Sequence, residues 1–394
     1  MMELNFASIS IIKNITNTVE KCNKDYKDNE LTDIKNFLYL FYQNIYNCYK
    51  YVKKNFKYVK KEIIRDTYFD KNNKPSLWNS SFFPENIKKF IINQKCSIVY
   101  YVINLDSRTF SLYFYFYEMD KLIDKIDDYA KNIYIWLCFA NEYLSDSCYK
   151  NTNIYIYLTP FNKKYPNNKK VLEVENVNTA FTISGCNENG EIIIFRKEEW
   201  FKVLIHETFH SFDLDFSLAN IEKLKYKLRK QFNIDSNLLI YESYCEVWAR
   251  IMNSLISAFS CLDNKRDIGK YLEYSNVFLE FERIYSIRQM NNVLNYMNIS
   301  YRDILIRKNN NYKEESNVFC YYIIGGILMS NYYKFMKWCY RNNEYFIKFS
   351  KNSEKISEYG NLIIEIGIKG EFFDEIKCVN NDNSGSLRMT CIEL

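Results

Sequence analysis

Two histidines occur in the 394-residue chain, His206 and His210, and they stand four apart in Trp200-Phe201-Lys202-Val203-Leu204-Ile205-His206-Glu207-Thr208-Phe209-His210. On an α-helix, residues four apart share a face with Cβ atoms about 5–6 Å from each other, so both imidazoles can reach one metal ion. Neutral imidazole is a suitable zinc donor. Glu207, one position on, is turned about 100° from His206 and is placed to take a proton from water at the metal's open position. Zinc lowers the pKa of such a water toward 7, which makes a nucleophile available at neutral pH. Histidines scattered at random in a chain this long fall four apart about once in 200 chains, and an acidic residue follows the first about once in eight. The alternative reading is two ordinary helix histidines. With no other histidine present, a histidine oxyanion donor and an all-histidine metal triad are excluded.

A catalytic zinc takes a third protein ligand. The later helical segment Tyr241-Glu242-Ser243-Tyr244-Cys245-Glu246-Val247-Trp248-Ala249-Arg250 offers Glu242 and Glu246, 32 and 36 residues after His210. At i, i+4 they share a face of a largely apolar helix, where two carboxylates repel unless cations lie nearby. A zinc ion and a histidine N–H would satisfy both, one carboxylate as ligand and the other orienting an imidazole. A solvated acidic helix edge is the other reading of the pair.

This combination resembles the gluzincins, zinc metallopeptidases with an H-E-x-x-H helix and a glutamate from a later helix. The resemblance covers about residues 178–262. It implies His206 and His210 as zinc ligands, Glu207 as general base, Glu242 as third ligand and Glu246 as the supporting carboxylate. Metzincins fit poorly, because their glycine and third histidine would fall at Asp213 and Phe216. Asp213 and Asp215 stay open as alternative third ligands. The resemblance also implies a zincin-like α+β fold, with a small mixed sheet, a backing helix and an edge strand along the cleft. Ala180, Phe181 and Thr182 would be that edge, pairing main chain with an extended peptide, unless they are an ordinary strand of the sheet. An oxyanion donor other than histidine falls to Tyr321, Tyr322 or Arg250.

The elements that must position these groups are legible from periodicity. Apolar spacing predicts helix from about 34 to 69, then a polar, Pro-containing boundary at 71–84. SIVYYVINL and TFSLYFYFYE read as a hairpin around Asp106-Ser107-Arg108, Met119–Leu144 as an amphipathic helix, and NIYIYLTP, NTAFTIS and EIIIFR as strands. Helices are expected near 197–215, 217–231, 236–262, 267–297 and 316–349. Glu198 and Glu199 would lie in a first helical turn and complement its dipole. Gly325-Gly326 suggests close helix approach, against the active-site helix. The expected division is a helical N-terminal region (1–84), a sheet with the active-site helix (85–215), a mostly helical part supplying the third ligand (216–379) and a polar tail (380–394).

Composition sets the outer limits. Glycine (9) and proline (4) are about 3% of the chain, which disfavours turn-dense sandwiches. Fifty-three basic and 48 acidic residues are spread without a basic arm, so nucleic acid is not an expected partner; a peptide or protein substrate is. The longest apolar run, VFCYYIIGGILM from Val318, is too short to span a bilayer. Twelve cysteines without C-x-x-C pairs, and a start lacking a signal peptide, read as reduced thiols in a cytoplasmic protein. AT-rich coding points to a large DNA virus or an AT-rich parasite. Cys391 matches C-a-a-X by position, but Glu393 occupies an aliphatic position, so prenylation is not expected. The expected function is a zinc-dependent metallopeptidase, with a catalytically inactive zincin-fold binding or structural protein as the alternative.

Overall fold

Odd and even strand positions carry two different apolar sets, and that alternation gives one sheet with both faces covered. The computed structural model describes residues 2–117, 125–145, 148, 150–167, 171–186, 189–306, 312–379 and 385–394. Its strands are β1 (Lys60–Thr67), β2 (Cys96–Leu105), β3 (Arg108–Phe116), β4 (Asn151–Tyr157), β5 (Ala180–Thr182) and β6 (Asn189–Ile194), in spatial order β1-β2-β3-β4-β6-β5. The first three form an antiparallel meander, β4 runs parallel to β3 and β6 parallel to β4, and β5 lies antiparallel to β6 at the edge. Phe110, Leu112, Phe114, Ile154, Ile156, Ile192 and Ile194 join the main core. Tyr115, Tyr155, Tyr157, Ile193 and Phe195 join a second cluster with Phe69, Trp78, Phe83 and Ile87.

Before the sheet come α1 (Phe6–Lys21) and α2 (Asp28–Asn55), then α3 (Glu85–Asn93) after β1; α4 (Ile126–Asn141) lies between β3 and β4, and α5 (Val174–Val177) before β5. After β6 the chain is helical: α6 (Trp200–Ser211), α7 (Glu222–Phe232), α8 (Tyr241–Ser260), α9 (Ile268–Tyr296), α10 (Tyr301–Ile306), α11 (Gly325–Ser330), α12 (Tyr332–Asn342), α13 (Ser353–Gly367) and α14 (Gly370–Cys378). A π-helical stretch, Phe319–Ile324, runs directly into α11. The main core draws on residues from Cys22 to Met389, so the stretches 1–84, 85–215, 216–379 and 380–394 all contribute to it.

The hairpin, β4, β5 and β6 stand where β-branched and aromatic runs placed them. Within the segment 58–69, expected as helix, Lys60–Thr67 is instead β1, with Lys60 to Ile64 registered against Val102 to Ile98. Pairing with β2 overrides the helical spacing, and the charged residues Lys60, Lys61, Glu62 and Arg65 guard an exposed edge. The helix expected over Met119–Leu144 is α4; positions 119–124, and 380–384 of the polar tail, lie outside the described residues. Gly326 does allow close approach, but to α9 rather than to the H-E-x-x-H helix: an added Cβ would lie 3.1 Å from Met290 Cβ and 3.4 Å from the Ser286 carbonyl.

The cysteines are also a correction. Cys22–Cys378 and Cys148–Cys186 are disulfides, and eight cysteines are free. Their sequence separations, 356 and 38, make pairs that spacing along the chain does not reveal. No described helix is long and apolar enough to cross a membrane.

Candidate metal centre

Glu199 turns the chain from the sheet into α6 with a left-handed φ of 63°. The helix therefore starts at Trp200, and Glu199 stands outside the first turn rather than complementing the dipole. Its buried carboxylate pairs with Lys163 at 2.7 Å and accepts the N–H groups of Met389 and Thr390 at 2.6 Å each. All twelve residues of α6 are buried. Its apolar side chains, Leu204, Ile205 and Phe209 among them, each contribute roughly 1.5–3 kcal/mol by leaving water. Trp136 of α4 donates its indole N–H to the Thr208 hydroxyl at 2.8 Å, and the Gly185 N–H, just past β5, donates to the His210 carbonyl at 2.9 Å. Strand edge, backing helix and α8 thus fix the histidines from three sides.

His206 Nε2, His210 Nε2 and Glu242 Oε2 converge, with separations of 3.2 Å between the nitrogens and 3.1 Å from each nitrogen to the carboxylate oxygen. Tetrahedral ligand atoms about 2.05 Å from a zinc ion are about 3.3 Å apart, so the spacing suits such an ion. The opposite ring nitrogens both face carboxylates. His210 Nδ1 bonds Asp215 Oδ2, and His206 Nδ1 lies 3.2 Å from Glu246 Oε2, within ion-pair range though outside regular hydrogen-bond geometry. Protons held at Nδ1 leave two Nε2 lone pairs and a carboxylate oxygen aimed at one point. That arrangement repels itself unless a cation sits there. The donor set fits a metal ion; its chemistry alone does not select zinc among divalent metals.

The electrostatics agree. Burial would lower the pKa of His206, yet its contacts with the Glu242 and Glu246 carboxylates raise it; His210 rises further under Cys245, Glu242 and Asp215. Against burial, His210 and His206 hold the Glu242 carboxyl far below its usual range, and Lys202 and Arg250 do the same for Glu246. Without a metal, the site attracts protons to the same place. Burial pushes Glu207 the other way, upward.

No family model, curated protein or solved structure matches the chain.

Glu207 lines one small cavity with His206, Ala180, Thr179, Lys202 and Tyr321. Of the two tyrosines expected as donors, Tyr321 belongs here, its ring 5.9 Å from that of His206. Tyr322 does not: its hydroxyl donates to the Leu387 carbonyl, because successive helical residues point about 100° apart. Arg250 is buried on Glu246 at 2.8 Å and on Ser286 at 2.5 Å. Of the edge residues, Ala180 faces the cavity, Phe181 packs into the aromatic cluster with Phe83 and Phe195, and Thr182 bonds the Glu191 carbonyl. Asp213 pairs with Lys351, away from the convergence point.

Two participants, Lys202 and Cys245, were not singled out from the sequence. Lys202 donates to both Glu246 oxygens at 2.9 Å. Its signal was available: a lone cation on the His206 face of an apolar helix, one turn earlier. Asp215, held open as a third ligand, bonds His210 Nδ1, the ring nitrogen opposite the convergence point, and forms with His210 and Cys245 a second group of possible metal donors. Cys245, 3.4 Å from Asp215 Oδ2, carried no sequence signal.

Proposed function

We propose that the chain is a zinc metallopeptidase of gluzincin type, built on a zincin-like arrangement of β5, β6, α4 and α6. The observation that carries this reading is the convergence of His206, His210 and Glu242 beside a Glu207 carboxylate that takes no hydrogen bond among the described residues. A zinc ion held by those three residues would supply Lewis acidity to a substrate carbonyl and acidify water. Glu207, with its pKa raised by burial, takes the proton from the attacking water and delivers it to the leaving amine. The Tyr321 hydroxyl, on a ring 5.9 Å from that of His206, is the side-chain donor assigned to the developing oxyanion. The free edge of β5 offers main-chain groups to an extended peptide.

One observation favours a second reading, a metal-binding protein without peptidase activity. His206, Glu207, His210 and Glu242 are only 5–8% exposed, and the cavity beside them holds about 30 Å³, room for a water rather than a peptide. Metal analysis with a peptide-library assay on wild type and Glu207→Gln separates the two. Near-stoichiometric zinc in both proteins, with cleavage falling by about 10²–10⁴ in Glu207→Gln, is the expected result. Zinc in both with cleavage in neither selects the second reading. A wild-type chain that takes up no metal from zinc-replete buffer removes both.

A further inference from the structure

A second cavity, of about 470 Å³, lies between α2, α4 and the C-terminal end of α8, and shares no residue with the metal centre. Its walls are apolar: Tyr49, Val52, Phe56, Ile135 and Phe259. The polar groups at its base satisfy one another. The Ser260 hydroxyl donates to Asn132 Oδ1 at 3.0 Å, and Asn132 Nδ2 reaches Met2 Sδ at 3.1 Å. An occupant therefore finds hydrocarbon below and few unmet hydrogen bonds.

The charged residues around it are nearly all of one sign, four lysines against a single aspartate. Lys131 takes that aspartate, Asp128, at 2.9 Å. Lys265 donates to the carbonyls of Phe259, Ser260 and Leu262 at 2.8–2.9 Å and has no carboxylate at ion-pair distance among the described residues. Lys53 and Lys57 have no ion-pair partner among the described residues. The ammonium groups of Lys131 and Lys265 lie 5.4 Å from the ring centroids of Phe56 and Phe259, which puts positive charge directly over the apolar wall.

We infer that this cavity binds a long-chain carboxylate, an anionic amphiphile of the fatty-acid class. The aliphatic chain fills the apolar space, whose volume lies within the roughly 300–1,000 Å³ of small-molecule sites. The carboxylate meets Lys53 and Lys57 at the rim. A neutral hydrocarbon leaves those cations unmatched, and a small polar anion leaves the wall empty. Each added methylene tightens binding roughly fourfold until the cavity is full.

Isothermal titration of the full chain below micellar concentrations, with decanoate, decanol and decylamine, tests this. Decanoate is expected to bind one to one and about tenfold tighter than decanol, with decylamine weakest. Octanoate and laurate should fall on either side of decanoate. The exposed pair Lys53→Glu/Lys57→Glu should lose about tenfold for decanoate while leaving decanol and the melting temperature unchanged. Ile135→Trp, which fills the cavity, should abolish binding of both; if it fails to fold, the charge-reversed pair alone decides. Equal affinity for decanoate and decanol, no effect of the double reversal, or no saturable binding overturns the proposal. Zinc content and peptidase activity are separate readouts and do not bear on it.

Discussion

His206 and Glu246 show how a ligand is held by a residue that touches no metal. Glu246 meets His206 Nδ1, Lys202 Nζ from one turn earlier on α6 donates to both its oxygens, and Arg250 closes the far side from α8. Glu246→Gln keeps the side-chain shape and removes the charge that fixes the imidazole. Its zinc affinity should fall about 10–100-fold, as read by competition with a chromophoric chelator; unchanged affinity would mean that the pair only packs. The raised histidine pKa values add a pH dependence whose sign is fixed. A metal-free chain keeps protons on these imidazoles above the usual value of about 6.5, and a metal ion must displace them. Zinc affinity should therefore rise with pH, by up to about tenfold per unit for each displaced proton. In the metal-free chain the raised values stabilise the fold fully below the unfolded histidine pKa, and that contribution is lost as pH rises through the folded values. The zinc-induced increase in melting temperature should then grow between pH 6 and 8, and a flat difference would contradict the protonated metal-free site.

At the scale of elements, the site depends on α6 being pinned between the sheet, α4 and α8. The π-helical stretch and α11 pack against α8, and at Gly326 α11 lies close against α9. An alanine there brings its Cβ to 3.1–3.2 Å from Met290 Cβ and Sδ, atoms on a packed helix face. Gly326→Ala should lower unfolding free energy by about 1–3 kcal/mol through overpacking, measured by chemical denaturation. Stabilisation, the usual result of Gly→Ala on a free helix face, would show that α9 can yield. Element identity was mostly readable where one signal dominated: β-branched and aromatic runs marked β2, β3, β4 and β6, and 3.6-residue spacing marked α6, α8 and α9. It failed at β1, where helical spacing and strand-forming residues coincide and β2 supplies the deciding partner.

The whole molecule is closed by contacts between distant parts of the chain. Leu387 to Leu394 are buried, with the N–H groups of Met389, Thr390, Cys391 and Ile392 bonded to Glu199 and Glu282. Cys391 is fully buried in that segment. The Cys22–Cys378 disulfide joins the ends of α1 and α14 across 356 residues. Thiol titration of the unfolded, unreduced chain should count the eight free cysteines rather than all twelve. Cys22→Ser/Cys378→Ser should cost about 2–5 kcal/mol of stability, since a long closed loop restricts the unfolded chain most. A count of twelve would restore the reduced-thiol reading of the sequence.

The sequence alone determined the chemistry on offer: two histidines one helical turn apart, a glutamate between them, and a later i, i+4 carboxylate pair. These are local patterns, fixed by the pitch of a helix. Tertiary structure decided which groups meet. It brought Glu242 and both Nε2 atoms to one point, assigned Asp215 and Glu246 to the far ring nitrogens, kept Tyr321 and turned Tyr322 away, and paired four of the cysteines. Those outcomes depend on how helices far apart in the chain pack against one sheet, and no spacing along the sequence encodes that distance.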